Sequence, residues 1–387
     1  MAPDVPTMEQ IDAWVDINVE RWPQAREWLL KSWSSPLEDN WQSDQHRRRR
    51  KHDAERLIKK EGRRQALAPH LHAIVAGTAS AHVLHQLAGA YEKRFYDISG
   101  DTPELRVQDF LVSDEGTARA AIANLPLVLE RGDLPSADEV LGLDAKGKYH
   151  LIRPAALLAA RLAHEREPGA VRAWPDSLLA TLVAFWLTDG TGEMPDWYTN
   201  AAELRPEVVA PLLVRHALAR LRRKGPLFVT GLWALSHEPG HAALARIALP
   251  SLLAGFPQRA SESARRELNG SLLAALHLLD ADTASTLVRR KIDHPSIDAA
   301  QRVCWMVAEL PYRADAAQRL VDVVGKNERR AVVLGIALHE QGSLNRALKR
   351  VEAVTLSRLI ELLAPITQPG RPLGVHWVAP AHERGDT

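Results

Sequence analysis

Only one cysteine occurs in the 387 residues, Cys304, so no internal disulfide can form. It sits in the apolar run Val303-Cys304-Trp305-Met306-Val307, where cysteine acts as a small hydrophobe rather than a reactive thiol. Excess charge is nearly absent as well: 49 Lys and Arg face 48 Asp and Glu, a formal net charge of +1. No global field draws such a chain to nucleic acid or membrane, so any attraction must be local. The longest apolar stretches, such as residues 178–187 with Thr181 inside, fall far short of a membrane span. Residues 1–7 lack a basic segment followed by an apolar core, which predicts no signal peptide. The expectation is a cytoplasmic protein with no membrane partner. Strand signals are missing too, because no segment alternates apolar and polar residues between turn residues.

What is present is helical periodicity. The hydrophobic fraction of 46% and charged fraction of 25% suit a globular protein. Over 204–365, apolar stripes recur at helical spacing: Val208, Val209, Leu212 and Leu213, then Leu232 and Trp233. Leu244, Ile247, Ala248 and Leu252 follow, and then Leu268, Leu272, Leu273 and Leu276. Breakers separate these runs at Gly225-Pro226, Pro239-Gly240, Pro257, Pro295 and Pro311. Paired runs give units of roughly 30–40 residues, the period of helical solenoids. The predicted fold is all-α, a HEAT-like helical-repeat solenoid with an N-terminal helical extension. Its expected divisions are an N-terminal region 1–96, a sub-array 97–190, the solenoid 191–365 and an extended tail 366–387. Gly190, Gly192 and Pro195 mark the loop between the two arrays.

Several helix starts are readable. Asp101-Thr102-Pro103-Glu104 offers a capping residue and a first-turn proline, and Ser136-Ala137-Asp138-Glu139 matches a capping box. Residues 66–96 read as one long helical stretch, and 114–131 as a helix kinked at Pro126. Trp14, Trp22, Trp28, Trp33 and Trp41 near the start read as packing anchors.

Candidate chemistry is sparse. Arg47, Arg48, Arg49, Arg50, Lys51, Lys59 and Lys60 belong to a helix-favouring polar segment that can grip a phosphate backbone. Asp53, Glu55 and Glu61 dilute it, and Glu55–Lys59 pairs at i,i+4, which favours a solvated face. His70, His72, His82 and His85 lack nearby acidic residues before Glu92 to orient their rings, so no metal site is expected. Gly142-Leu143-Asp144-Ala145-Lys146-Gly147-Lys148 mimics a phosphate-binding loop. Tyr149 replaces the magnesium-ligating hydroxyl, and a helical pattern precedes it instead of a strand. Ser236-His237-Glu238 and His241 are split by Pro239-Gly240, so the pattern is expected to be a turn with an exposed polar rim, not a zinc-protease helix. Trp186, Asp189, Asp196 and Trp197 lie around the 188–195 loop and match the residue types used by helical-repeat DNA glycosylases, which set an aspartate and tryptophans in a basic groove. A basic groove there would favour that enzyme reading.

Three short patches, 101–106 (Asp-Thr-Pro-Glu-Leu-Arg), 133–136 (Asp-Leu-Pro-Ser) and 371–377 (Arg-Pro-Leu-Gly-Val-His-Trp), accompany the helical array. Together they resemble the C-terminal sensor-like regions of bacterial NACHT-type or related STAND NTPases. The resemblance runs from about residue 97 onward. It implies a helical-repeat part that binds a trigger or partner, while a separate P-loop module hydrolyses nucleotide. No such loop in strand–loop–helix context is present, so nucleotide hydrolysis does not carry over, and no family catalytic residue maps here. The leading expectation is a non-enzymatic interaction scaffold with a protein partner and no cofactor. The alternative is a nucleic-acid-binding repeat protein that uses the basic 47–64 helix.

Overall fold

The computed structural model describes residue 13 and residues 39–190, 194–223, 228–341 and 353–364. The tryptophans at 14, 22, 28 and 33, the break at 225–226 and the 366–387 tail lie outside the described residues. Among the described residues the chain is all-α and has no strand. No described helix is long and apolar enough to cross a membrane.

The first helix described over its length, α1 (Asp39–Leu67), is 29 residues long and strongly polar. Its apolar stripe is too thin to hold it, so ions dock its second half. Lys60 pairs with Asp109 at 2.6 Å, Arg56 approaches Asp109 at 3.8 Å, and Arg63 pairs with Asp97. The long helical stretch expected over 66–96 is broken in the structure. A 3-10 turn at Ala68–His70 holds Pro69, then come α2 (Leu71–Val75) and α3 (Ala81–Tyr91). Gly77 between them adopts φ +70°, and a Cβ there would sit 3.1 Å from Leu127 Cβ. Both the left-handed backbone and the tight contact require glycine. Gly77→Ala is expected to lose about 1–2 kcal/mol of stability, read as a shifted midpoint in chemical denaturation.

The cap signals appear in the structure as local hydrogen bonds. Thr102 accepts the Leu105 N–H at 3.3 Å and starts α4 (Pro103–Leu111). Helix α5 (Glu115–Asn124) ends where Pro126 enters a 3-10 segment, Leu125–Glu130, so the kinked helix expected over 114–131 is two elements. Pro126 cannot donate the next helical hydrogen bond. Ser136 and Glu139 form the reciprocal capping box of α6 (Ala137–Ala145). Next come α7 (Arg153–Arg166), α8 (Ala170–Ala173) and α9 (Asp176–Asp189).

The second half runs through α10 (Asp196–Leu204), α11 (Pro206–Leu221), α12 (Leu232–His237) and α13 (Ala242–Gly255). It continues with α14 (Glu262–Leu278), α15 (Ala281–Ile292) and α16 (Ala299–Glu309). The last helices are α17 (Ala316–Val324), α18 (Glu328–Glu340) and α19 (Ala353–Leu363). In this half helices pack on the next element and on the one after it: α13 meets α14 and α15, while α16 meets α14 and α18. One continuous apolar core extends from Leu67 to Leu359. Trp305 is fully buried in it, edge-on to Phe256 with ring centroids 6.5 Å apart. Cys304 beside it is buried, and burial pushes its thiol up to about 12. Two members of the expected stripes depart from it: Trp233 and Ile247 are exposed, and Trp233 stacks flat on His237 at 4.4 Å.

Candidate binding cleft

The basic segment divides into two parts. Arg47, Arg48, Arg49, Arg50 and Lys51 are exposed on α1. Lys59 is also exposed, but its Nζ lies 3.3 Å from the Tyr96 hydroxyl and 5.7 Å above that ring. Lys60 is half-buried on Asp109. The last two cations are therefore engaged within the chain.

The other sequence motifs fall in separate places. Residues Gly142 to Ala145 finish α6, so the glycine-to-lysine run does not form a loop after a strand. His85 contacts the Leu151 carbonyl at 3.2 Å, whereas His70, His72 and His82 face solvent. No group of three or more metal-ligating side chains converges among the described residues. Of the turn expected over 236–241, Ser236 and His237 end α12 and Pro239–His241 form a 3-10 element, and its rim is not wholly exposed. His241 is fully buried beside Tyr198, with ring centroids 5.8 Å apart, and neither ring nitrogen has a hydrogen-bond partner. Burial lowers its proton affinity, with Glu238 opposing.

A cleft of about 720 Å³ forms where α3, α4, α7, α9 and α10 meet. Trp186, Asp189, Asp196 and Trp197 all line it, so these four side chains do come to one place. Arg94, Arg106, Arg161 and His164 share the walls with Glu92 and Glu165. The lining thus carries both signs of charge and is not a basic groove.

Most of these ionic groups hold one another. Arg153 Nε lies 3.1 Å from Asp189 Oδ1, with side-chain exposures of 14% and 7%. Its Nη1 donates to the Thr188 carbonyl at 3.0 Å, closing the end of α9. Arg94 pairs with Glu92 at 2.6 Å, and Arg161 lies between Glu92 at 4.0 Å and Glu165 at 3.8 Å. Arg106 donates to the carbonyls of Tyr91 at 2.7 Å and Asp101 at 3.2 Å, which ties α3 to the start of α4. Burial pushes the Tyr91 phenol up, and the Arg161 guanidinium 5.5 Å from its ring opposes that shift.

The aromatic rings serve packing. Trp197 is 1% and Trp186 4% exposed, and Trp186 lies 3.8 Å from the Tyr198 ring centroid. Neither indole presents an open face on which a base could stack. The rim is different. Asp196, Glu165 and Arg94 are exposed, and Arg161 is half-exposed. His164 is buried on the wall; its Nε2 meets the Asn200 amide at 3.2 Å, while Nδ1 has no partner.

Sequence reading found the aspartates and tryptophans of the cleft but missed Arg94, Arg106, Arg161 and His164. Only Arg161–Glu165 at i,i+4 carried a local signal. Arg94 and Arg106 come from segments roughly 60 residues before Arg161 and His164 along the chain. Comparison with protein-family models, curated proteins and solved structures returned no match, so the cleft is interpreted from its own geometry.

Proposed function

We propose that this chain is a non-enzymatic interaction module, a HEAT-like helical-repeat solenoid that binds a protein partner through the cleft of about 720 Å³. The sensor or partner-binding part of a bacterial NACHT/STAND-type defence or signalling system is the role this reading fits. The observation that carries it is the state of the charged cleft. Its inner acids are held by arginines, while both signs of charge remain on an accessible rim at Arg161, Glu165 and Asp196. Such a rim discriminates partners by charge complementarity, whereas catalysis needs an acid, base or nucleophile left poised toward a substrate. Packing of the helices from α13 to α18 on their next and next-but-one neighbours supports the solenoid. The glycosylase-like reading has less support, because Asp189 is pinned to Arg153 and both tryptophans are packed away.

Selection of binding peptides from a random library against the full chain tests this reading. Combined Arg161→Glu and Asp196→Lys should abolish binding of the selected peptides, while neutralising Arg48, Arg49, Arg50 and Lys51 should leave it intact. Peptides indifferent to the reversed cleft charges would contradict it. The nucleic-acid alternative separates by salt dependence. A phosphate-binding α1 would lose duplex affinity with a log–log slope of about 0.9 per neutralised phosphate. The expected result is weak duplex binding that the fourfold neutralisation barely alters.

A further inference from the structure

A second recess, about 450 Å³, lies where the C-terminal ends of α11, α13 and α15 come together. Its size is within the range of small-ligand sites. Arg222, Arg290, Lys291 and His294 line it, together with Gln258 and the backbone around Phe256, and none of its lining residues is acidic. Cations at helix C-termini are ordinary complements of the helix dipole. Here the complement is exceeded: three termini, at roughly half a negative charge each, offset only about half of the three fixed positive charges.

The recess also holds its cations at a cost. Lys291 is buried, donates from Nζ to the Phe256 carbonyl at 2.8 Å, and lies 5.9 Å from the Trp305 ring centroid. Burial, and then the neighbouring Arg290, push its ammonium down to about 8. An anion in the recess would relieve that repulsion. The Arg222 and Arg290 side chains are exposed, and neither has an ion-pair or hydrogen-bond partner among the described residues. The Ser296 N–H donates to His294 Nδ1 at 3.2 Å, and His294 Nε2 lies 3.2 Å from the Gln258 amide nitrogen.

We propose that this recess binds a small phosphorylated molecule, with Arg222 and Arg290 gripping the phosphate oxygens and Lys291 and His294 facing them from the inner wall. Guanidinium forks suit phosphate because they present paired donors in a plane. Confinement of the cations to one pocket favours a small phosphorylated molecule over a nucleic-acid backbone. The assignment does not depend on the partner-binding reading of the first cleft.

The test is calorimetric titration of the full chain with inorganic pyrophosphate near neutral pH. Variants are Arg290→Ala, the Arg222→Ala/Arg290→Ala pair, and Arg161→Ala as a control in the other cleft. Both recess arginines are exposed, so circular dichroism should be unchanged. Saturable binding is expected, weakened about tenfold or more by Arg290→Ala through loss of charge-assisted hydrogen bonds. The double variant should abolish it, and Arg161→Ala should not alter it. Absence of saturable binding, or binding indifferent to the double variant, would overturn the proposal. Duplex DNA binding more tightly than pyrophosphate, and lost in the same double variant, would overturn it in favour of a backbone-reading surface.

Discussion

Replacing Arg153 by Met is expected to lower the unfolding free energy by about 3–5 kcal/mol, the cost of leaving a buried charge unpaired. The partner left behind is Asp189, whose side chain is only 7% exposed at the floor of the cleft. The same change removes the donor to the Thr188 carbonyl at the end of α9. Pairing Arg153→Met with Asp189→Leu should recover most of the loss, because an apolar pair of similar volume avoids the desolvation of both charges. Chemical denaturation of the two variants provides the measurement. A single-variant loss under about 1 kcal/mol would place the pair in the class of solvated surface bridges and release Asp189 for other chemistry.

Glu267→Gln should remove most of a pH dependence of stability. Glu267 lies on α14, where burial pushes its carboxyl up to about 7 from an ordinary 4.5; nearby Glu340 adds to the shift and the Val229 N–H opposes it. The folded chain therefore keeps a proton there that the unfolded chain releases. This contribution is fully present below about pH 4.5 and is lost as pH rises through about 7. The difference corresponds to about 3 kcal/mol between those limits. In the Gln variant the midpoint should stay nearly level over that window and exceed the parent's above pH 7. An unchanged slope would mean that Glu267 is ionised and solvated in the folded chain.

Features set by neighbours in sequence were legible before the structure. Thr102 and Ser136 cap helices because the acceptor and its N–H lie three residues apart. Breakers were legible as interruptions but not always as the right kind: Pro126 yields a 3-10 segment, and Pro69 and Gly77 split the 66–96 stretch. Burial of polar groups was opaque, since a polar residue in a helix reads as solvent-facing. Asn269 and Gln341 contradict that reading. Gln341 donates to Asn269 at 2.8 Å and to the Cys304 carbonyl at 3.0 Å, joining α14, α16 and the end of α18 inside the core. Lys291 and His241 were invisible for the same reason. Both sites also depend on long-range assembly. Trp186 and Asp196 flank one loop and could be grouped from sequence, whereas Arg94 reaches the cleft only through the packing of α3 on α7.

Amide hydrogen exchange of the full chain, with and without a cleft-selected peptide, tests partner binding at the cleft. Slowed exchange reports which backbone segments the ligand orders or covers. Binding at the first cleft predicts protection concentrated at its walls, residues 91–106, 153–166, 186–190 and 194–198, with residues 47–51 unchanged. Protection confined to residues 47–51, or spread over the array without the cleft walls, would contradict it.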